Sequence, residues 1–536
     1  MSDTDRVDQA PADSSSTEPR TVAELLRRSA SRHPEASAIV GEGRNCTYAG
    51  LNDRSNAVAA GLVAAGVGEG DRVAYLARNA TEFWELYFGA AKAGAAVVPL
   101  NFRLAADEIA WILGDAEPTV LLAERHLAGL VPADWTGLRI VFDQAGGETT
   151  GGDWQEYETW LSDVEAIDPY RDVSGDGLIS LMYSSGTTGR PKGVTSTCDA
   201  MLAAVRMFSA LFDVGTTTVS LVPTPYYHIA AGGWSLIALA HGGTIVQFIE
   251  VTPENMLGLL HRYQATHVIM VPTVIQLFIT HPQASVMDYS SVEHLVYGGS
   301  PISETVMLGA QKVFDAKLSQ SYGLTETIGV TTILRPEDHV AGPDSKLQSA
   351  GRAVPGVEVR IVSPVTGEEC APRAVGEVVT RGPNVTRSYW RRPEATAEAF
   401  WPGGWFRTGD AGFMDEDGYI FLKDRLKDMI VSGGENIYPA EVENAIMSHP
   451  GVQEVAVIGI PSERWGESPY AVVVAKPGVT LSVEDVLDHT RGRLARFKCP
   501  SGGEVIDALP RNPSGKILKR ELRAPFWDNN NGRTIG

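Results

Sequence analysis

A chain of 536 residues with 43% hydrophobic and 21% charged residues has the balance of an ordinary globular protein. It is long enough for about two to four structural units and a large core without disulfide support. Its formal net charge of −21 repels phosphate backbones and anionic lipid, which argues against nucleic-acid binding and membrane-surface binding, although a few local cations can still hold a nucleotide.

The N-terminal stretch, residues 1–20, is Asp/Ser/Pro-rich and lacks the apolar region of a signal peptide, so it reads as a disordered leader. From residue 21 helical and strand-like segments alternate. Thr21 to Ala30 and Leu51 to Leu62 predict helices, Val73 to Leu76 a buried strand, and Phe83 to Ala93 a further helix. Strand patterns recur at Val97, Thr119, Thr244, His267 and His294. This rhythm predicts α/β layers with largely parallel sheets. The most apolar run, Ile229 to Ala240, is too short to span a bilayer, which takes about 20 residues.

From about residue 350 to 424 short strands separated by Gly and Pro predict a β-rich subdomain with hairpins. Beyond it, residues 425–536 return to helix and strand and predict a small separate α+β domain. Cys46, Cys198, Cys370 and Cys499 are scattered outside metal-ligand spacing and fit a reducing, cytoplasmic setting.

The strongest chemical signal is a loop that follows the apolar run from Leu178. It places Ser184, Ser185, Gly186, Thr187, Thr188, Gly189 and Lys192 in one turn-rich segment closed by Pro191 and Gly193. Glycines let backbone N–H groups converge on an anion, hydroxyls add donors, and the lysine adds charge. The spacing does not fit G-x-x-x-x-G-K-[ST]. The loop instead resembles the signature of the adenylate-forming superfamily, which holds acyl-CoA synthetases, adenylation domains of peptide synthetases and luciferases.

Further motifs follow in that superfamily's order. Tyr322-Gly-Leu-Thr-Glu326 is similar to its second nucleotide motif: Tyr322 would stack on adenine, Thr325 donate to the α-phosphate, and Glu326 bind Mg²⁺. Tyr297, Gly298, Gly299 and Ser300 resemble the segment passing under adenine and beside the acyl group, and Gly323 joins that acyl set. Trp405-Phe-Arg-Thr-Gly-Asp410 implies that Asp410 takes the ribose hydroxyls, with Arg425 as a second ribose contact and Lys427 as the hinge. Gly433 and Gly434 resemble the segment lining the channel for coenzyme A. Lys516, in Leu509-Pro-Arg-Asn-Pro-Ser-Gly-Lys, matches the superfamily's catalytic lysine. His228 occupies the position of an acyl-pocket residue, and Tyr226, Tyr227, Trp234 and Tyr297 are expected to form an aromatic wall beside it.

The resemblance, closest to the acyl-CoA synthetase and fatty-acid–CoA ligase branch, implies two half-reactions. A carboxylate attacks the α-phosphorus of ATP with Lys516, Thr325, Glu326 and Lys192 as the catalytic set. A thiol, that of CoA, then takes the acyl group as the small domain turns about Lys427. ATP, Mg²⁺ and CoA are the implied co-reactants, and the substrate is a medium- or long-chain fatty acid or an aryl acid. An alternative is a stand-alone adenylating enzyme with a carrier-protein thiol or an amine as acceptor. A non-catalytic nucleotide-binding protein is disfavoured because Lys192, Glu326, Asp410, Arg425 and Lys516 are all present. Oligomeric state is not legible in the sequence, and a homodimer is compatible with it.

Overall fold

The structure, a computed structural model, describes residues 18–144, 153–184, 191–300, 302, 304–342, 345–426, 428–433, 435–511 and 517–527. Among them four sheets form. A seven-stranded sheet carries parallel strands from residue 72 to 184 and closes on an antiparallel hairpin, Leu178–Ser184 with Lys192–Thr197. A nine-stranded sheet is parallel from Ser37–Gly41 through Lys317–Tyr322 and antiparallel at both edges.

Helices Val22–Arg32, Tyr48–Ala64, Thr81–Ala93, Cys198–Leu211 and Ile229–Ala240 lie between these two sheets. One hydrophobic cluster joins Val73, Val97 and Leu122 of the first sheet to Val222, Ile245 and Val296 of the second through Phe83, Trp84, Phe208 and Trp234. The apolar run from Ile229 is therefore a helix covered on more than one side, as an all-round hydrophobic helix should be. The outer face of the nine-stranded sheet is covered by helices Pro253–Tyr263, Pro272–Thr280 and Glu304–Phe314. Helix Ala106–Ala116 covers the outer face of the seven-stranded sheet. Strands of such covered parallel sheets are buried on both faces and read as near-continuous Val/Ile/Leu runs.

Local chemistry sets the element ends. The Thr21 hydroxyl accepts the Glu24 N–H and starts the first helix, while Gly94 at φ 89° ends the third. The five-stranded antiparallel sheet that follows is built from Glu358–Val362, Gly376–Arg381, Phe400–Trp401, Trp405–Met414 and Ile420–Arg425. The last sheet pairs Val452–Ser462 with Gly466–Ala475 over helices Pro439–Met447 and Val483–Arg491. The fold class is thus α/β with a β-rich section and a small α+β C-terminal section, as the sequence predicted. No helix among the described residues is long and apolar enough to cross a membrane.

One close approach fixes the register that the site depends on. Strand His294–Gly298 pairs in parallel with Lys317–Tyr322, and a Cβ on Gly298 would lie 2.2 Å from the Ser321 carbonyl oxygen. The strand carrying Tyr322 can come this near only because position 298 has no side chain. Gly298→Ala is expected to lower unfolding free energy by about 3 kcal/mol, measured by urea denaturation, because backbone must shift to admit the methyl. A loss below about 0.5 kcal/mol would contradict the constraint.

Candidate active site

The hairpin of the seven-stranded sheet delivers the first group. Ser184 and Lys192 face each other across the antiparallel pair, so they mark the two shoulders of the glycine/hydroxyl loop. Ser185, Gly186, Thr187, Thr188 and Gly189 lie outside the described residues. The Lys192 ammonium sits 5.0 Å from the centre of the Tyr389 ring, within cation–π range.

The nine-stranded sheet delivers the second group. Strand Lys317–Tyr322 ends at Tyr322, and the chain turns through Gly323 into the short helix Thr325–Thr327. A Cβ on Gly323 would lie 2.4 Å from the Gly329 carbonyl carbon, so this tight reversal needs glycine. Glu326 accepts a hydrogen bond from the Tyr389 hydroxyl at 2.9 Å through Oε1. No hydrogen bond to its Oε2 is present among the described residues.

The antiparallel sheet delivers the third. Asp410 and Arg425 are direct partners on paired strands. Arg425 Nε lies 2.9 Å from Asp410 Oδ1, and its Nη1 donates to the Thr408 carbonyl at 3.0 Å. The Tyr322 hydroxyl donates to Asp410 Oδ2 at 2.6 Å. Burial first, and Asp410 second, hold the Tyr322 hydroxyl protonated. The Arg425 guanidinium lies within electrostatic reach of Asp410, Tyr322 and Glu326. Lys192, Tyr322, Glu326, Asp410 and Arg425 are thereby linked through Tyr389 and Asp410 into one constellation drawn from three sheets. Ser300 and Gly299 (φ 79°) are exposed at the end of the strand beside Tyr322.

A group of three or more His, Cys, Asp or Glu side chains able to cage a metal is absent among the described residues. A single carboxylate with one oxygen open suits Mg²⁺, which keeps waters and substrate oxygens in most of its positions.

The acyl side differs from the expected aromatic wall. His228 precedes helix Ile229–Ala240, and its carbonyl accepts the Ala231 and Gly232 N–H groups. Its ring lies 4.4 Å from that of Tyr227, whose hydroxyl accepts a bond from Arg103 at 3.1 Å. Trp234, however, packs edge-on against Phe208 and Phe212 in the layer between the sheets. Tyr226 stacks on Phe83 and touches Trp84 in the same layer. Tyr297 points to the opposite face of its sheet, into the outer helix layer, and shares its hydroxyl with His339 Nε2 at 2.9 Å. The structure therefore brings Tyr227 to His228 but does not gather Trp234, Tyr226 and Tyr297 around it. The helix start does meet the nucleotide side, since a Cβ on Gly329 would lie 3.8 Å from Ile229 Cγ2.

In the small section, the Gly433 N–H donates to the Trp465 carbonyl at 2.8 Å and the Trp465 ring covers its α-carbon. Lys427, Gly434 and Lys516 lie outside the described residues. The sequence did not single out Tyr389. Its only signal is an aromatic pair ahead of the proline-headed helix Pro393–Glu398, which reads as a helix entry.

Burial, with the Arg103 charge adding to it, lowers the His228 pKa from 6.5 to about 4. The ring is therefore neutral at neutral pH. Because the folded value lies below the unfolded one, its contribution to stability is full above 6.5 and is lost as pH falls toward 4. The ¹³Cε1 shift of His228 should show no titration between pH 5.5 and 8; a midpoint near 6.5 would contradict the burial.

Residues 26–390 match the family described as AMP-binding enzyme, and residues 441–516 match its C-terminal domain. The chain is 38% identical to a fatty acid–[acyl-carrier-protein] ligase of Streptomyces coeruleorubidus, over 95% of this chain and 97% of that protein. It is 41% identical to a feruloyl-CoA synthase of Amycolatopsis, over 93% of this chain and 98% of that protein. It superposes on a Mycobacterium tuberculosis fatty acyl CoA synthetase with a TM-score of 0.73 at 36% identity, covering 95% and 98% of the two chains. The chain belongs to the AMP-binding enzyme family, within the acyl-CoA synthetase branch of the adenylate-forming superfamily.

Proposed function

We propose that the protein activates a fatty or aryl carboxylic acid with ATP as its acyl-adenylate and passes the acyl group to coenzyme A, releasing AMP and pyrophosphate. The observation that carries this reading is the meeting of Lys192, Glu326, Tyr322, Asp410 and Arg425 at one place. Each suits a different part of ATP. Lys192 offsets the charge of the outer phosphates. Asp410 accepts from Tyr322 and pairs with Arg425, and a carboxylate at this place is a natural acceptor for the ribose diol. Tyr322, held by that bond, offers its ring to adenine. Thr325, beside Glu326, donates to the α-phosphate.

Glu326 would hold Mg²⁺ through its open oxygen. When bound, the ion neutralises phosphate charge. Two anions, the carboxylate and the triphosphate, must be brought together, so positive charge and orientation are the main work of the site. We assign Lys516 to the transition-state charge of adenylation. The small section, residues 425–536, turns about Lys427, carrying Lys516 out and Gly433 and Gly434 toward the CoA thiol. Substrates are small carboxylic acids in the cytoplasm. The acid lies beside His228 and Tyr227, next to the Gly323–Gly329 turn.

A second acceptor, a carrier-protein thiol, is favoured by the similarity to the acyl-carrier-protein ligase. Incubation with ATP, Mg²⁺, a panel of fatty and aryl acids, and either CoA or a holo carrier protein, read by mass spectrometry, separates the two. Acyl-CoA is the expected product; acylated carrier alone would select the second acceptor, and no pyrophosphate with any acid would overturn both. Lys516→Ala is expected to cut acid-dependent ATP–pyrophosphate exchange by at least about 100-fold while thioester formation from synthetic acyl-adenylate falls less than about threefold. Equal loss in both assays would contradict the two-position assignment.

A further inference from the structure

Tyr389 lies outside every motif that points to nucleotide chemistry, yet it touches two of the groups assigned to it. Its hydroxyl donates to Glu326 Oε1 at 2.9 Å. Its ring lies 5.0 Å from Lys192 Nζ.

The backbone around it is stitched to the same two places. Tyr389 bridges Val194 in antiparallel fashion, Thr195 N–H donates to the Ser388 carbonyl, and Trp390 N–H donates to the Gly193 carbonyl at 2.8 Å. Thr386 N–H donates to the Glu326 carbonyl at 2.7 Å, and the Thr386 hydroxyl donates to the Thr195 carbonyl at 2.7 Å. The Trp390 indole and Arg392 then anchor the segment on Asp115, at 3.1 and 2.5 Å. Residues 386–392 thus form a clasp between the strand behind the phosphate loop and the short helix bearing Glu326.

We propose that Tyr389 is a positioning residue of the phosphate site: its hydroxyl fixes the Glu326 carboxylate with Oε2 open, while its ring backs the Lys192 ammonium and sets the gap between them. This rests on Glu326 and Lys192 serving ATP as proposed above. A charge-assisted hydrogen bond to a carboxylate oxygen favours one carboxylate orientation over its alternatives. The ring face adds an attraction for the ammonium that a hydrophobic side chain cannot supply.

The test uses the full-length enzyme with α,β-methylene ATP and Mn²⁺ as the probe ion, whose binding is read by electron paramagnetic resonance. Tyr389→Phe is expected to weaken Mn²⁺ binding to the enzyme–nucleotide complex about tenfold or more, with the acid KM and melting temperature unchanged. Tyr389→Leu should also raise the KM for ATP several-fold. In a Glu326→Gln background, Tyr389→Phe should have no further effect on Mn²⁺. A merely structural role would lower the melting temperature and leave metal affinity alone. If Glu326→Gln weakens Mn²⁺ but Tyr389→Phe does not, the inference about Tyr389 is overturned and the assignment of Glu326 stands. If neither Glu326→Gln nor Lys192→Ala alters nucleotide or Mn²⁺ binding, the assignment of the site itself is overturned.

Discussion

The Asp410 carboxylate is the point on which this structure turns. One oxygen takes the hydroxyl of Tyr322, at the end of the nine-stranded sheet. The other faces Arg425, on the neighbouring strand of the antiparallel sheet. A mostly buried carboxylate needs such partners, because desolvation without them is costly. Satisfying it docks one sheet on the other, and the docking sets where adenosine can lie. The group suited to bind ribose is therefore also the group that holds its own wall in place.

The same economy holds on the phosphate side. The loop shoulders, Ser184 and Lys192, belong to the seven-stranded sheet, and Glu326 belongs to the nine-stranded one. The five helices between those sheets fix their separation. The clasp from Thr386 to Arg392 spans what remains of the gap. The rotation proposed for the small section would then work against a rigid floor, which matters because misplacing charge by about 1 Å costs roughly two orders of magnitude in rate.

Much of this was legible in the sequence, and the reason is physical. Glycines with hydroxyls and a lysine, or a tyrosine, threonine and glutamate in five residues, carry their chemistry locally. The alternation of helix and strand patterns likewise announced layered α/β architecture. What was not legible depends on which way a side chain faces. Tyr297 and Val296 are neighbours, yet one enters the outer helix layer and the other the inner one, because strand side chains alternate. Trp234 lies on a helix apolar all round, so periodicity could not say whether it lined a pocket or filled the core. Tyr389 meets Glu326 across 63 residues, a contact made by tertiary docking alone. On the acyl side Tyr226 and Trp234 fill the layer between the sheets and Tyr297 faces the outer one, so of the four aromatics it is Tyr227 whose ring meets His228.

The chemistry at the centre of the account moves a particular oxygen. If the acid attacks the α-phosphorus, one carboxylate oxygen becomes the bridge of the mixed anhydride and leaves with AMP when the thiol attacks the carbonyl. Turnover of an ¹⁸O₂-labelled acid with ATP and CoA, followed by mass spectrometry of the nucleotide product, tests this most directly. The account predicts AMP carrying one ¹⁸O and acyl-CoA retaining the other. Unlabelled AMP, or label in inorganic phosphate alongside ADP, would contradict it.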